Sequence, residues 1–254
     1  QYGIVAVPVA LLMIGGEFDL SAGVMIGSSG LLLGYLTTYQ DMNVWPAMAL
    51  VLLFGLAVGF INGLAVVKTK LPSFIVTLAT FFVLQGVNAA GTLKLTGTTA
   101  IQNIDSASGF ESARHFFAGD ITKYDFKVKV LWWIAITIVG AWLLAKSRFG
   151  NWIYSAGGDA LAARNVGVPV ARTKVALFMM TSATAALMGI IEAMELRSMQ
   201  SKEGIGLEFI FIICAVVGGS EIDTSGRVVT GAADCDQAAG AAPTSTAATN
   251  ALRP

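Results

Sequence analysis

Charge is scarce in this 254-residue chain: 13% of residues are Asp, Glu, Lys or Arg, 55% are hydrophobic, and the mean hydropathy is +0.71. A soluble domain carries about a quarter of its residues as charges, so this composition excludes one and points to an integral membrane protein. The net charge of zero carries no signal for nucleic acid, which is not expected as a partner. Cysteine is nearly absent. Cys214 falls in an apolar run and Cys235 in the tail, an arrangement that argues against a disulfide framework. Cys214 reads as a small buried hydrophobe. The single histidine, His115, stands in a polar loop without the convergent ligands a metal site needs, and reads as a surface residue. The GxxxxGK[ST] pattern is missing, so ATP hydrolysis by this chain itself is not expected, nor any cofactor of its own. No Ser/His or paired-His arrangement supports a membrane-embedded enzyme. The chain opens at Gln1, already inside an apolar run and without the basic start of a signal peptide, and reads as lacking its true N-terminus.

What the chain does have is long apolar runs: 2–16, 20–36, 44–67, 72–90, 130–145, 175–193 and 207–219. A helical span needs roughly 20 apolar residues. Runs 44–67 and 175–193 meet that length, while several others are short and interrupted by glycine. The expected fold is an all-α polytopic transmembrane bundle of about six to seven apolar segments, some of them broken, occupying residues 1–219.

Between two of these runs lies a polar segment, 147–173, rich in Gly and Ala and flanked by Lys146, Arg148, Arg164, Arg172 and Lys174. Short loops with such a Lys/Arg excess face the cytoplasm. A short Ala-rich helix inside it, ended by Gly167 and Pro169, would present a small rigid face to a soluble partner there. An ordinary interhelical loop is the alternative. Lys68 and Lys70 place the end of run 44–67 on the same side. Run 72–90 then leads outward, with Pro72 suited to a first helical turn. Residues 91–129 form an external loop whose Phe110, Phe116, Phe117, Tyr124 and Phe126 would rest at the membrane interface.

Glu17 and Asp19 sit between two short apolar segments, where charge in the membrane is costly and marks a cavity or a function. A broken helix whose second half is capped by Asp19 or Ser21 would resolve this, and a plain loop is the alternative. Gly55, Gly59 and Gly63 form overlapping GxxxG units for close helix packing. Asn62 lies on a different face from these glycines, as an interhelical hydrogen-bonding group or a pathway residue. Residues 220–254 have no aromatic residue and are Ala-, Thr- and Gly-rich, a composition expected to be disordered.

Two short, Gly-interrupted blocks, 17–30 and 206–220, belong to opposite halves and begin near an acidic residue. Paired broken segments point to the substrate path of transporters. Asp19, Ser21 and Glu208 are the candidates there, joined by Asn62, Gln85 and Gln200, since sugar hydroxyls want such donors and acceptors. The alternative for Asp19 and Glu208 is helix capping, and both roles can coexist.

Four blocks in order carry a resemblance over roughly 3–219. They are Gly16-Glu17-Phe18-Asp19-Leu20-Ser21-Ala22-Gly23, then Asn62-Gly63 with 72–80. The third is Arg148-Phe149-Gly150 with 154–159, Ala162-Ala163-Arg164 and Gly167-Val168, and the fourth is 204–208 followed by 215–219. Together they resemble the permease subunits of bacterial carbohydrate ABC importers of the ribose/xylose/galactose type. The resemblance implies a multi-pass protein of the bacterial inner membrane, paired with a second permease subunit, here expected to be an identical one. A periplasmic sugar-binding protein would deliver a monosaccharide, and two cytoplasmic ATPase subunits, which use the ATP, would switch the pair. It implies that Gly157, Gly158, Asp159, Ala162, Ala163, Arg164 and Gly167 form the ATPase-coupling element. The family continues beyond both ends of this stretch, and the tail after 219 departs from it, as a truncated or frame-shifted reading would. A permease for a branched-chain amino acid or nucleoside, or an ion-coupled secondary transporter, are the alternatives.

Overall fold

The computed structural model describes residues 2–119, 128–218, 220–222 and 228–230. Tyr124 and Phe126 of the external loop, Cys235 and most of the 220–254 tail lie outside the described residues. The chain divides into two units, 1–215 and 216–254. In the second, β3 (Ser220–Ile222) pairs antiparallel with β4 (Val228–Thr230).

The first unit is helical, as its apolar runs require: in a membrane a helix satisfies its own backbone. Its helices are α1 (Gly3–Ile14), α2 (Ser21–Thr38), α3 (Val44–Thr69), α4 (Ser73–Thr96), α5 (Phe110–Phe117), α6 (Val128–Lys146), α7 (Arg148–Gly158), α8 (Ala160–Asn165) and α9 (Val170–Leu196), with α10 (Leu207–Gly218) leading out of it. Among the described residues, α3, α4, α6 and α9 are long and apolar enough to cross a membrane, and α1 and α10 are shorter apolar helices. The remaining run, 20–36, became α2. It is rich in Gly and Ser, and it is buried along nearly its whole length.

α9 is the central post, packed against α1, α2, α3 and α7. The glycines of α3 explain the closest of these pairings. A Cβ on Gly55 would fall 2.7 Å from the Ala186 Cβ, on Gly59 2.6 Å from the Phe178 carbonyl oxygen, and on Gly63 2.7 Å from the Val175 Cα. Without a side chain there, the two antiparallel backbones approach directly, the small-residue solution to packing in lipid. Gly189 of α9 meets the Ile26 carbonyl of α2 in the same way.

α4 extends to Thr96, beyond the residue 90 at which run 72–90 stops, until left-handed Gly97 (φ 74°) ends it. Pro72 takes the cap position rather than the first turn. The expected loop 91–129 is partly regular. β1 (Ala100–Ile101) pairs antiparallel with β2 (Met199–Gln200), and α5 packs Phe110, Ala113 and Phe117 inward. Phe117 stacks on Trp132 with ring centroids 5.3 Å apart, and His115 is exposed as expected. Cys214 differs from expectation: it is exposed. α10 buries Glu208, Phe211 and Ala215 at helical spacing, and Cys214 falls beside that face, in the exposed part of the helix.

After β2 the chain does not loop freely back. A glycine stripe on α2 receives residues 199–208: Cβ atoms on Gly23, Gly27 and Gly30 would collide with the Glu208 carboxylate, the Glu203 carbonyl and the Met199 side chain. Gly204 (φ 82°) and Gly206 (φ 93°) supply the left-handed turns that bring Leu207 into helix.

Candidate functional site

At one end of the bundle α1 and α2 are separated by a non-helical break, 15–20, turned by left-handed Gly16 (φ 79°). Of the broken helix and the plain loop, the former describes it. The break is tucked under other helices, with Glu17 7%, Asp19 2% and Leu20 4% exposed. Its backbone is held by α4, whose Ser73 Oγ accepts from Phe18 N at 3.0 Å and whose Thr77 Oγ1 accepts from Leu20 N at 3.2 Å. The Glu17 carboxylate accepts from Lys174 Nζ at the start of α9.

The break opens α2 with a buried polar chain. Asp19 Oδ1 accepts from Ser21 N at 2.9 Å and from Ser21 Oγ at 2.6 Å. Asn62 of α3 donates from Nδ2 to Ser21 Oγ at 3.0 Å, and Thr80 of α4 donates to Asn62 Oδ1 at 2.6 Å. Asp19 thus holds the first N–H of α2 although Leu20 takes the cap position, and three helices are tied at one point. Its other oxygen, Oδ2, is buried without a hydrogen-bond partner among the described residues. Glu208 is 4% exposed and lies over Gly23, one helical turn from Asp19 on α2, where it accepts from Gly206 N at 2.9 Å. It reaches back to the turn before its helix.

The structure therefore brings Asp19, Ser21 and Asn62 into one network and sets Glu208 against the same helix. Gln85 is half-buried and Gln200 is exposed in β2, and neither side chain forms a hydrogen bond among the described residues. Thr77 and Thr80 were not singled out from sequence. The polar spacing 73, 77, 80 on an apolar helix was the signal available, since it places three hydroxyls on one face.

Beside the break lies the polar segment, folded as α7 and α8. Ser147 Oγ caps α7 by accepting from Gly150 N at 3.0 Å. Asp159 Oδ1 caps α8 by accepting from Leu161 N at 2.8 Å and Ala162 N at 3.0 Å. Gly167 (φ 87°) returns its N–H to the Arg164 carbonyl, and Val168 N bonds the Ala163 carbonyl, closing α8. Ala163 is buried, while Gly157, Gly158, Asp159, Ala162, Arg164 and Gly167 are exposed. Gly157 rests on the carbonyl oxygen of Ile14 where α1 ends. Two apolar side chains, Leu161 at 72% and Val166 at 80% exposure, project from α8 and the turn that follows it. Sequence reasoning passed over both, because in a chain this apolar a single Leu or Val attracts no notice. Among the described residues no group of His, Cys, Asp and Glu could hold a metal ion.

In sequence the chain is similar to curated permease proteins. The inner membrane ABC transporter permease protein YjfF of Escherichia coli K12 is 28% identical over 86% of this chain and 64% of its own length. The autoinducer 2 import system permease protein LsrC of E. coli O9:H4 is 31% identical over 89% of this chain and 63% of its own. The L-arabinose transport system permease protein AraH of E. coli K12 is 31% identical over 85% and 62%. The chain thus spans less than two thirds of the length of these relatives. No solved structure matches it. The family model described as "Branched-chain amino acid transport system / permease component" matches residues 1–233, past the residue 219 at which the sequence resemblance stops, and to that family of membrane permease components the chain belongs.

Proposed function

We propose that this chain is the transmembrane core of an ABC importer permease that moves a monosaccharide across the bacterial inner membrane. It has no ATPase site or cofactor of its own and is driven by separate cytoplasmic ATPase subunits, which use the ATP. A periplasmic binding protein delivers the solute, and a second, identical permease subunit completes the path in the bilayer. One observation carries this reading: a capped two-helix element, α7–α8, exposes Leu161 and Val166 outward while resting inward on the end of α1. A face of this kind suits a soluble partner that pushes on the bundle. The name of AraH, an L-arabinose permease, supports a monosaccharide, and the buried Asp19–Ser21–Asn62–Thr80 network supplies hydroxyl-binding chemistry beside α2.

The family description favours a second reading, a branched-chain amino acid as solute. Uptake by the full-length permease, reconstituted with its partner subunits, separates the two. Radiolabelled pentoses and hexoses should accumulate and leucine should not; leucine accumulation alone would transfer the assignment to the second reading.

A further inference from the structure

Besides the packing of α9 on α2 and α3, the coupling element and the buried polar network meet through short contacts around the break 15–20. On the α7 side, Gly157 rests on the Ile14 carbonyl, a steric contact that transmits a push and not a pull. On the α4 side, Ser73 and Thr77 hold the backbone at Phe18 and Leu20. Toward α9, whose first turns directly follow α8, the break is held by the Lys174–Glu17 ion pair, with side chains 19% and 9% exposed. Glu17 is also fixed to the end of α1, since its N–H bonds the Leu12 carbonyl at 3.1 Å. Two residues further along the chain is Asp19, the head of the network that joins α2, α3 and α4.

We infer that the Glu17–Lys174 pair is the joint through which movement of the α7–α8–α9 corner is passed, in both directions, to the start of α2, so that both are positioning residues for transport. This rests on the importer reading above. A shielded ion pair resists separation as well as compression, because parting the charges leaves Glu17 buried and Lys174 half-buried without a partner. The neighbouring contacts do not have that property: Gly157 can lift from Ile14, and Leu177, which Gly15 faces, can slide. The break itself is non-helical and turned by Gly16, so without the joint it can absorb a displacement rather than deliver it.

The test uses the full-length permease with its ATPase and binding-protein partners in liposomes. It compares radiolabelled monosaccharide uptake with ATP hydrolysis stimulated by the loaded binding protein. Glu17→Gln and Lys174→Met should each lower uptake per ATP hydrolysed by roughly tenfold, with the assembled complex recovered in normal yield, as loss of one partner of a buried pair implies. The exchange Glu17→Lys with Lys174→Glu should restore the ratio to within about twofold. Single variants with the wild-type ratio would overturn the inference, as would uptake and hydrolysis falling in parallel. An exchange variant that assembles but stays as uncoupled as the singles would overturn it too. Wild-type liposomes without ATP-dependent uptake would instead overturn the importer reading, and the joint with it, before any variant is compared.

Discussion

Gly157 lies against the carbonyl oxygen of Ile14 with no space for a β-carbon, whereas a β-carbon on its neighbour Gly158 would meet nothing. Adjacent glycines therefore have opposite duties, one fitting the bundle and the other leaving the outer face open. Gly157→Ala should push α7 off α1 and cost about 1–3 kcal/mol, the usual range for overpacking a tight contact. Gly158→Ala should leave stability within about 0.5 kcal/mol of wild type. Thermal unfolding in detergent distinguishes them, and equal melting temperatures would refute the assigned contact.

Gly158→Trp keeps the fold yet fills the approach to α8. It should leave the melting temperature unchanged and abolish ATP-dependent uptake, measured in the reconstituted complex. Leu161→Arg tests the same face differently. At 72% exposure its loss should alter stability by less than about 0.5 kcal/mol while releasing the ATPase subunits during co-purification. Undiminished co-purification of both variants would remove the docking role.

Asn62 bridges Ser21 and Thr80 from α3. Asn62→Leu should cost about 1–2 kcal/mol, the summed worth of two interhelical hydrogen bonds in a membrane. Thr80→Val, losing one bond from the edge of the network, should cost about half as much. A double-mutant cycle in which the two losses simply add would contradict a shared network.

Gly59 faces the Phe178 carbonyl across the α3–α9 contact. Gly59→Leu cannot be accommodated without parting these helices and should prevent recovery of folded protein. Gly86, whose β-carbon would meet nothing, should accept Leu with unchanged yield. Comparable folded yields from the two variants, measured by size-exclusion chromatography, would place the helix pair elsewhere.

The bundle was legible in the sequence wherever hydrophobic length decided it. Val44–Thr69 and Val170–Leu196 are long and apolar enough to cross a membrane, and Gly55, Gly59 and Gly63 announced a close helix contact. The capped helix after Asp159 and its closure at Gly167 were readable because capping is local chemistry. What stayed hidden depended on contacts between distant residues. Glu17 could be seen as an expensive charge, but Lys174, 157 residues away, carries nothing in its own neighbourhood that names it as partner. Cys214 was assigned to the interior because apolar runs do not reveal which side of a helix faces lipid, and the phase of α10 turned it outward. The stripe Gly23, Gly27, Gly30 likewise shows a close approach, yet only the folded chain shows that residues 199–208 fill it.

The central claim is that α7–α8 conveys ATP-driven motion to the bundle. The most direct measurement is monosaccharide uptake into liposomes holding the full-length permease with its ATPase and binding-protein partners, with ATP supplied on the ATPase side and no ion gradient. The account predicts accumulation that requires hydrolysable ATP and disappears in Gly158→Trp. Accumulation that follows an imposed proton or sodium gradient and ignores ATP would contradict it and make the chain an ion-coupled transporter.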